Sequence, residues 1–231
     1  MWNGKNKALT FSYDDGTSQD IRLVELFNKY GVKATFNINS GLLGTEQTLI
    51  REGVEVLHNK IKPEDVKFIY DGHEVASHTL THPSLPKKEI DEEIVRQVEH
   101  DRIRLSELCG YEVVGFAYPC GGQNFDDRVS QIIRERTGVK YARTIISNNN
   151  FKLQTELYQF KPTVHHHNFD ELFALGEKFL SLNSDEPALF YVWGHAFELD
   201  IQDTWGRFEE FLSMMSNKND IFYGTNKEVL L

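Results

Sequence analysis

The chain has little of what marks several common protein classes. It carries two cysteines in 231 residues, Cys109 and Cys120, eleven positions apart. That is too few for a disulfide framework and reads as two free thiols, one on a helix and one in a loop. No run of lysine and arginine stands out, and the formal net charge is −10 with a pI of about 5.4, so a nucleic-acid partner is not expected. No long apolar run occurs, near Met1 or further in, so neither a signal peptide nor a membrane span is expected. The chain as written would stay in the cytoplasm, and would be secreted or cell-surface only if a leader had been removed. It also lacks repeats, low-complexity tracts and linkers, which suits a single domain over residues 1–231. Hydrophobic residues at 40% and charged residues at 26% are ordinary for a globular fold with one sizeable core.

What is present is an alternation of short apolar runs with amphipathic stretches. Strand-like runs fall at 7–13, 34–38, 74–77, 113–118, 141–145, 188–193 and 221–223. Helical patterns fall at 21–30, 49–58, 87–108, 128–137, 170–182 and 208–216, with Gly31, Gly110 and Gly138 as stops. Strands alternating with helices imply parallel pairing through βαβ crossovers, in a barrel or a wound sheet.

The reactive side chains sit where the apolar runs end. Asp14-Asp15-Gly16 follows the first run, His78 the third, Pro119-Cys120-Gly121 the fourth and His195 the sixth. In a βα barrel that end of the strands carries the active site. His78 and His82 form a His-x3-His pair, whose spacing brings two imidazoles to one side of a turn. Alone the pair says little. With a carboxylate from another strand end it makes a donor set for a divalent ion such as Zn2+, with positions left open for water and substrate. Two adjacent carboxylates in one turn repel unless a cation offsets them. One can ligate while its neighbour takes a proton from the attacking water. The alternative for Asp14-Asp15 is a turn that caps the next helix. For His195 it is a satisfied core histidine, although after Gly194 its position at a strand end suits a cleft and proton transfer to a leaving group.

Together these segments resemble the polysaccharide deacetylases, the NodB-homology or carbohydrate esterase family 4 enzymes. The matching stretches are Phe11-Ser12-Tyr13-Asp14-Asp15-Gly16, then Gly72-His73-Glu74-Val75-Ala76-Ser77-His78-Thr79-Leu80-Thr81-His82-Pro83, then Phe116-Ala117-Tyr118-Pro119-Cys120-Gly121, then Trp193-Gly194-His195. The resemblance implies a distorted (β/α)7 TIM-like barrel and hydrolysis of N- or O-linked acetyl groups from a carbohydrate. It also implies roles: Asp14 as general base, Asp15, His78 and His82 as metal ligands, the Cys120 backbone N–H as oxyanion donor, and His195 as general acid. The ion implied is one divalent metal, Zn2+ first, with Co2+, Ni2+ or Mn2+ as substitutes.

The chain departs from the family pattern in several places. Ala117 stands where many members carry an arginine that orients the base, and Arg143 at the end of the next strand is the candidate replacement. Cys120 replaces the usual aromatic, and Trp193 the usual leucine, where it can stack on a sugar or fill core. No Asp-x-x-Asp-Trp-like segment is found to tune His195, and Glu198 is the nearest candidate. His165-His166-His167 is expected on a solvated or partly buried strand, outside the site. Two rival readings remain: a retired carbohydrate-binding domain on this scaffold, and an iron(II) oxygenase, since two histidines and one carboxylate also make a facial triad.

Overall fold

The computed structural model describes residues 2–183 and 185–231. Its strands, in chain order, are β1 (Lys7–Asp14), β2 (Ala34–Ile38), β3 (Thr48–Arg51), β4 (Val54–Leu57), β5 (Glu74–Ser77), β6 (Gly115–Ala117), β7 (Tyr141–Arg143), β8 (Val164–His165), β9 (Ala188–His195) and β10 (Ile221–Tyr223). All but β3 and β4 join one sheet of parallel pairs, ordered β7-β6-β5-β2-β1-β9-β8. β10 pairs with the first half of β1, and β2 with the second half. The sheet curls into a distorted (β/α)7 barrel, as the family resemblance implies. Phe160 closes most of the remaining gap: its N–H donates to Ala142 and its carbonyl accepts from Thr144, each at 2.9 Å.

β1 shows why the barrel forms and where it is polar. Leu9, Phe11 and Tyr13 point outward into the helical layer, where the Phe11 and Phe27 rings lie 4.9 Å apart and Phe208 packs edge-on. Each such side chain contributes about 1.5–3 kcal/mol on burial. The alternate residues, Thr10, Ser12 and Asp14, point inward. There Thr10 Oγ1 donates to Asn226, and Ser12 Oγ accepts from Asn37 and Asn226. Buried Glu74 accepts from Thr35, Tyr141 and the Lys227 amide at 2.8 Å each. The barrel axis is thus a hydrogen-bonded polar network leading up to Asp14, rather than an oily plug.

Two expectations change. Residues 49–58 are the antiparallel hairpin β3–β4, not a helix. The reason is Glu52-Gly53, whose φ values of 52° and 79° make the tight turn of a two-residue hairpin. The long helix over 87–108 starts later, at Asp91, and runs to Cys109 through a π segment at Arg96–His100. Gly110 ends it at φ 76°. A C-terminal helix, Asn226–Leu230, with a capping box from Thr225 and Glu228, goes unread in the sequence. Among the described residues no helix is long and apolar enough to cross a membrane.

Candidate active site

β1, β2, β9 and the strands beyond them are in register, and that register assembles the site. Asp14 is the cross-strand partner of Asn37 on one side and His195 on the other. Asp15 follows with φ 83°, a left-handed conformation that an L-residue adopts at a cost of about 1–2 kcal/mol. Gly16 follows at φ 62°, where a Cβ would meet Ile38 Cγ2 at 2.8 Å. The two residues turn the chain so that neighbouring carboxylates face one cleft.

The Asp15, His78 and His82 ligand atoms lie within 4.8 Å of one another. Asp15 Oδ1 is 3.6 Å from His82 Nε2 and 4.0 Å from His78 Nε2. Tetrahedral ligands at zinc-like bond lengths stand about 3.3 Å apart, so the three fit a divalent ion after a small contraction. The imidazole state fits too. His78 Nδ1 donates to the Ala117 carbonyl at 2.8 Å, which leaves the Nε2 lone pair facing the carboxylates. Burial depresses the His78 pKa to about 4, so the ring is neutral. Asp101 fixes the loop from behind: one oxygen accepts from Ser77 Oγ and the His78 amide, the other from the Ser40 amide. His82 is held at φ 57° by its amide donating to Thr79 Oγ1 at 3.1 Å.

Asp14 is buried, and so is Arg143. Arg143 Nη2 donates to both Asp14 oxygens, at 2.6 and 2.5 Å, while Asn37 Nδ2 donates to Oδ1 at 2.8 Å. Burial alone would raise the Asp14 pKa, but Arg143, with His78 and His195, brings it below the ordinary value. The guanidinium lies 4.5 Å from the Trp193 ring, a cation–π contact. Arg143 is the register partner of Ala117 on the adjacent strand. The structure therefore supplies, one strand over, the cation that Ala117 lacks.

His195 Nδ1 lies 3.2 Å from Glu198 Oε1, an ion-pair distance at which the ring is not aligned for a hydrogen bond. The other oxygen of Glu198 accepts from the His195 amide at 3.1 Å and from His166 Nε2 at 2.8 Å. Burial would depress the His195 pKa, but Glu198, with Asp15 and Asp14, raises it to about 9. The histidine run thus belongs to the site's support, contrary to expectation. His166 is buried, with Tyr13 OH 3.0 Å from its Nδ1. A Cβ on Gly194 would come within 2.3 Å of the His166 ring, which is why a glycine precedes His195. His165, His195 and Glu198 also cluster within 4.8 Å, but they do not suit a cation. His165 Nδ1 accepts the His167 amide, so in the neutral ring, which burial enforces by lowering its pKa to about 3, Nε2 carries the proton toward Glu198.

Asp14, Asp15, His78, His82, Cys120, Trp193 and His195 all line one cleft of about 540 Å3. Cys120 has φ 71°, and its Sγ sits 3.8 Å from His82 Nδ1. Its amide donates to no group among the described residues. Sequence reasoning missed His58 and Lys60, both buried against Asp15. Only their alternate spacing after the hairpin could have signalled them.

In a curled parallel barrel, carboxylates and imidazoles that converge beyond the strand ends lie where such folds carry their active sites. Residues 3–142 match the family described as polysaccharide deacetylase, and the chain belongs to that family of hydrolases acting on acetylated carbohydrates. Among solved structures, a Mycobacterium smegmatis protein provisionally assigned as a polysaccharide deacetylase is 14% identical, with a TM-score of 0.72 over 98% of this chain and 90% of that one. A family 4 carbohydrate esterase from Streptomyces lividans, in complex with acetate, is 14% identical at a TM-score of 0.58 over 96% and 93% of the two chains. A family 4 pseudoenzyme from Bacillus anthracis is 18% identical at 0.59, and this chain covers 66% of its length and is itself 98% covered. At these identities the likeness is one of fold. Since an esterase and a pseudoenzyme share it, the side chains in the cleft must decide activity.

Proposed function

We propose that the chain is a metal-dependent deacetylase that removes N- or O-linked acetyl groups from a carbohydrate. The observation that carries this reading is the convergence in one cleft of a three-ligand cluster, an arginine-paired carboxylate and a glutamate-paired histidine. Asp15, His78 and His82 would hold one divalent ion, most naturally Zn2+. When bound, that ion supplies Lewis acidity toward water and toward the acetyl carbonyl.

The chain's own groups account for the remaining steps. Asp14 is anionic throughout the neutral range and lies 3.9 Å from His78 Nε2 through its Oδ2, next to the place where water would attack. It takes the proton of that water, while Arg143 and Asn37 keep its carboxylate aimed and charged. The Cys120 amide, unpaired among the described residues in the turn after Pro119, donates to the oxygen that becomes negative as the carbonyl carbon turns tetrahedral. His195, held cationic by Glu198, protonates the departing nitrogen or oxygen. Trp193 and Phe197 form apolar walls on which a sugar face can rest.

The test is acetate release from acetylated chito-oligosaccharides and acetylated xylan, before and after chelation and again after Zn2+ is restored. Release that chelation stops and Zn2+ restores is the expected result. Folded, metal-loaded protein that binds these glycans and releases no acetate would support the retired-domain reading instead, and oxygen consumption with Fe2+ would support the oxygenase.

A further inference from the structure

The segment after the hairpin has a job that the ligands alone do not explain. Residues 58–61 run extended between two neighbours. The His58 and Lys60 amides donate to the Gln47 and Thr45 carbonyls, at 2.7 and 2.8 Å. On the other side, Ser18 donates to the Asn59 carbonyl and Ile61 to the Gly16 carbonyl, at 2.7 and 2.9 Å. In an extended segment alternate side chains share a face. His58 and Lys60 therefore both turn toward Asp15.

Their contacts with Asp15 are complementary. His58 Nε2 lies 3.1 Å from Asp15 Oδ2. That occupies one oxygen and leaves Oδ1 as the one that faces His78 and His82. Lys60 Nζ donates to the Asp15 carbonyl at 2.7 Å and stands 3.5 Å from Oδ1. The first contact pins the peptide whose φ is 83°. The second puts a buried positive charge beside the place a dication would occupy. The His58 ring packs edge-on against Phe197 at 4.9 Å, and its Nδ1 is buried with no partner, so Asp15 is the ring's sole hydrogen-bond partner among the described residues.

We propose that His58 is a positioning residue that makes Asp15 a one-oxygen ligand, and that Lys60 weakens the site's hold on a divalent ion, so that this segment sets the metal affinity. The inference rests on the metal reading above. It concerns residues outside the three ligands, and it predicts opposite signs for the two. Partners one step removed from a metal ordinarily change its affinity by about 10–100-fold.

The experiment uses the whole chain and Co2+ alone as the probe. Affinity is read by competition with a chromophoric chelator, geometry by the visible d–d absorption, and folding by the melting of metal-free protein. His58→Ala is expected to bind Co2+ about 10–100-fold more weakly, with an altered d–d band and an intact metal-free melt. His58→Gln, which keeps an N–H donor, is expected to recover most of the loss. Lys60→Gln is expected to bind Co2+ about tenfold more tightly, because a repelling charge is gone. Wild-type affinity and spectrum in His58→Ala would overturn the proposal. If His58→Ala does not fold, Lys60→Gln decides: tighter binding supports the proposal, and unchanged or weaker binding overturns it. A wild-type chain that binds no Co2+ overturns the metal reading and this inference with it, whereas wild-type binding with unresponsive variants overturns this inference alone.

Discussion

The two halves of the cleft are built differently. On the ligand side, His78 and His82 come from one loop, four positions apart, and Thr79 within that loop caps the His82 amide, although Gln97, Asn39 and Asp101 brace the loop from elsewhere in the chain. On the proton-handling side the counter-charges are fixed by long-range contacts. Asp14 leans on Arg143, 129 residues away. Glu198 is close to His195, but it is held by His166, which in turn contacts Tyr13, 153 residues away. A ligand pair needs one spacing on one loop. A tuned acid or base needs a counter-charge, and any strand that reaches the same level of the barrel can supply it.

The largest effect expected from this difference is at Asp14. Asp14→Asn removes the base but not a ligand, so turnover should fall by about 10^3-fold or more while metal content stays at the wild-type level. Acetate release with metal analysis on the same sample checks it. Near-normal turnover would remove Asp14 from the mechanism and leave the two halves without distinct roles.

Next comes Arg143, which the comparison makes the carrier of the base's charge. Arg143→Gln leaves Asp14 buried without its cation, at a cost of about 3–5 kcal/mol in stability. The Asp14 pKa should then rise under burial, so the acid limb of the rate profile moves toward neutral and turnover near pH 7 drops about 100-fold. Because a single nitrogen, Nη2, serves both Asp14 oxygens, Arg143→Lys should keep more activity than Arg143→Gln. Equal loss in both variants would mean that packing against Trp193, not charge, is what Arg143 provides.

Legibility follows the same division. The alternation of strands and helices was readable from apolar runs and helix-stopping glycines, the family motifs implied the barrel, and the histidine pair was readable because its spacing is local. The hairpin at 48–57 was not. Leu49, Ile50, Val54, Val56 and Leu57 fit a helical stripe as well as a strand, and only the turn at Glu52-Gly53 separates the two. Arg143 could be named as a candidate, but its register with Ala117 exists only once β6 and β7 pair. The histidine run misleads for a similar reason. Three adjacent histidines look like surface, while the residue that reveals His166 is Gly194, twenty-eight positions later, which has no side chain because the His166 ring occupies its place.

Glu198→Gln probes the acid side of the comparison more gently. The general acid must be protonated, so turnover is sustained below the His195 pKa and lost as pH rises through it. Removing the Glu198 charge removes the main reason that this pKa lies near 9, so the alkaline limb should move to lower pH, with about a tenfold loss at pH 8. A bound dication shifts His195 downward in both proteins, which leaves the difference between them. An unmoved alkaline limb in the variant would show that Glu198 only packs against its histidines.

The smallest effect is expected at Cys120, where the two halves meet. Its Sγ is within 3.8 Å of His82 Nδ1, on the ligand side, while its amide serves the reacting carbonyl. If only the amide matters, Cys120→Ser should keep turnover within about threefold, since the backbone donor survives, and should bind metal as the wild type does. The thiol should also be a poor nucleophile, because burial raises its pKa, so alkylation by iodoacetamide is expected to be slow at pH 7. A variant that loses metal would place Cys120 among the ligands and shift the boundary between the two halves. A variant that keeps metal but loses turnover would make the side chain, rather than the amide, the group that meets the substrate.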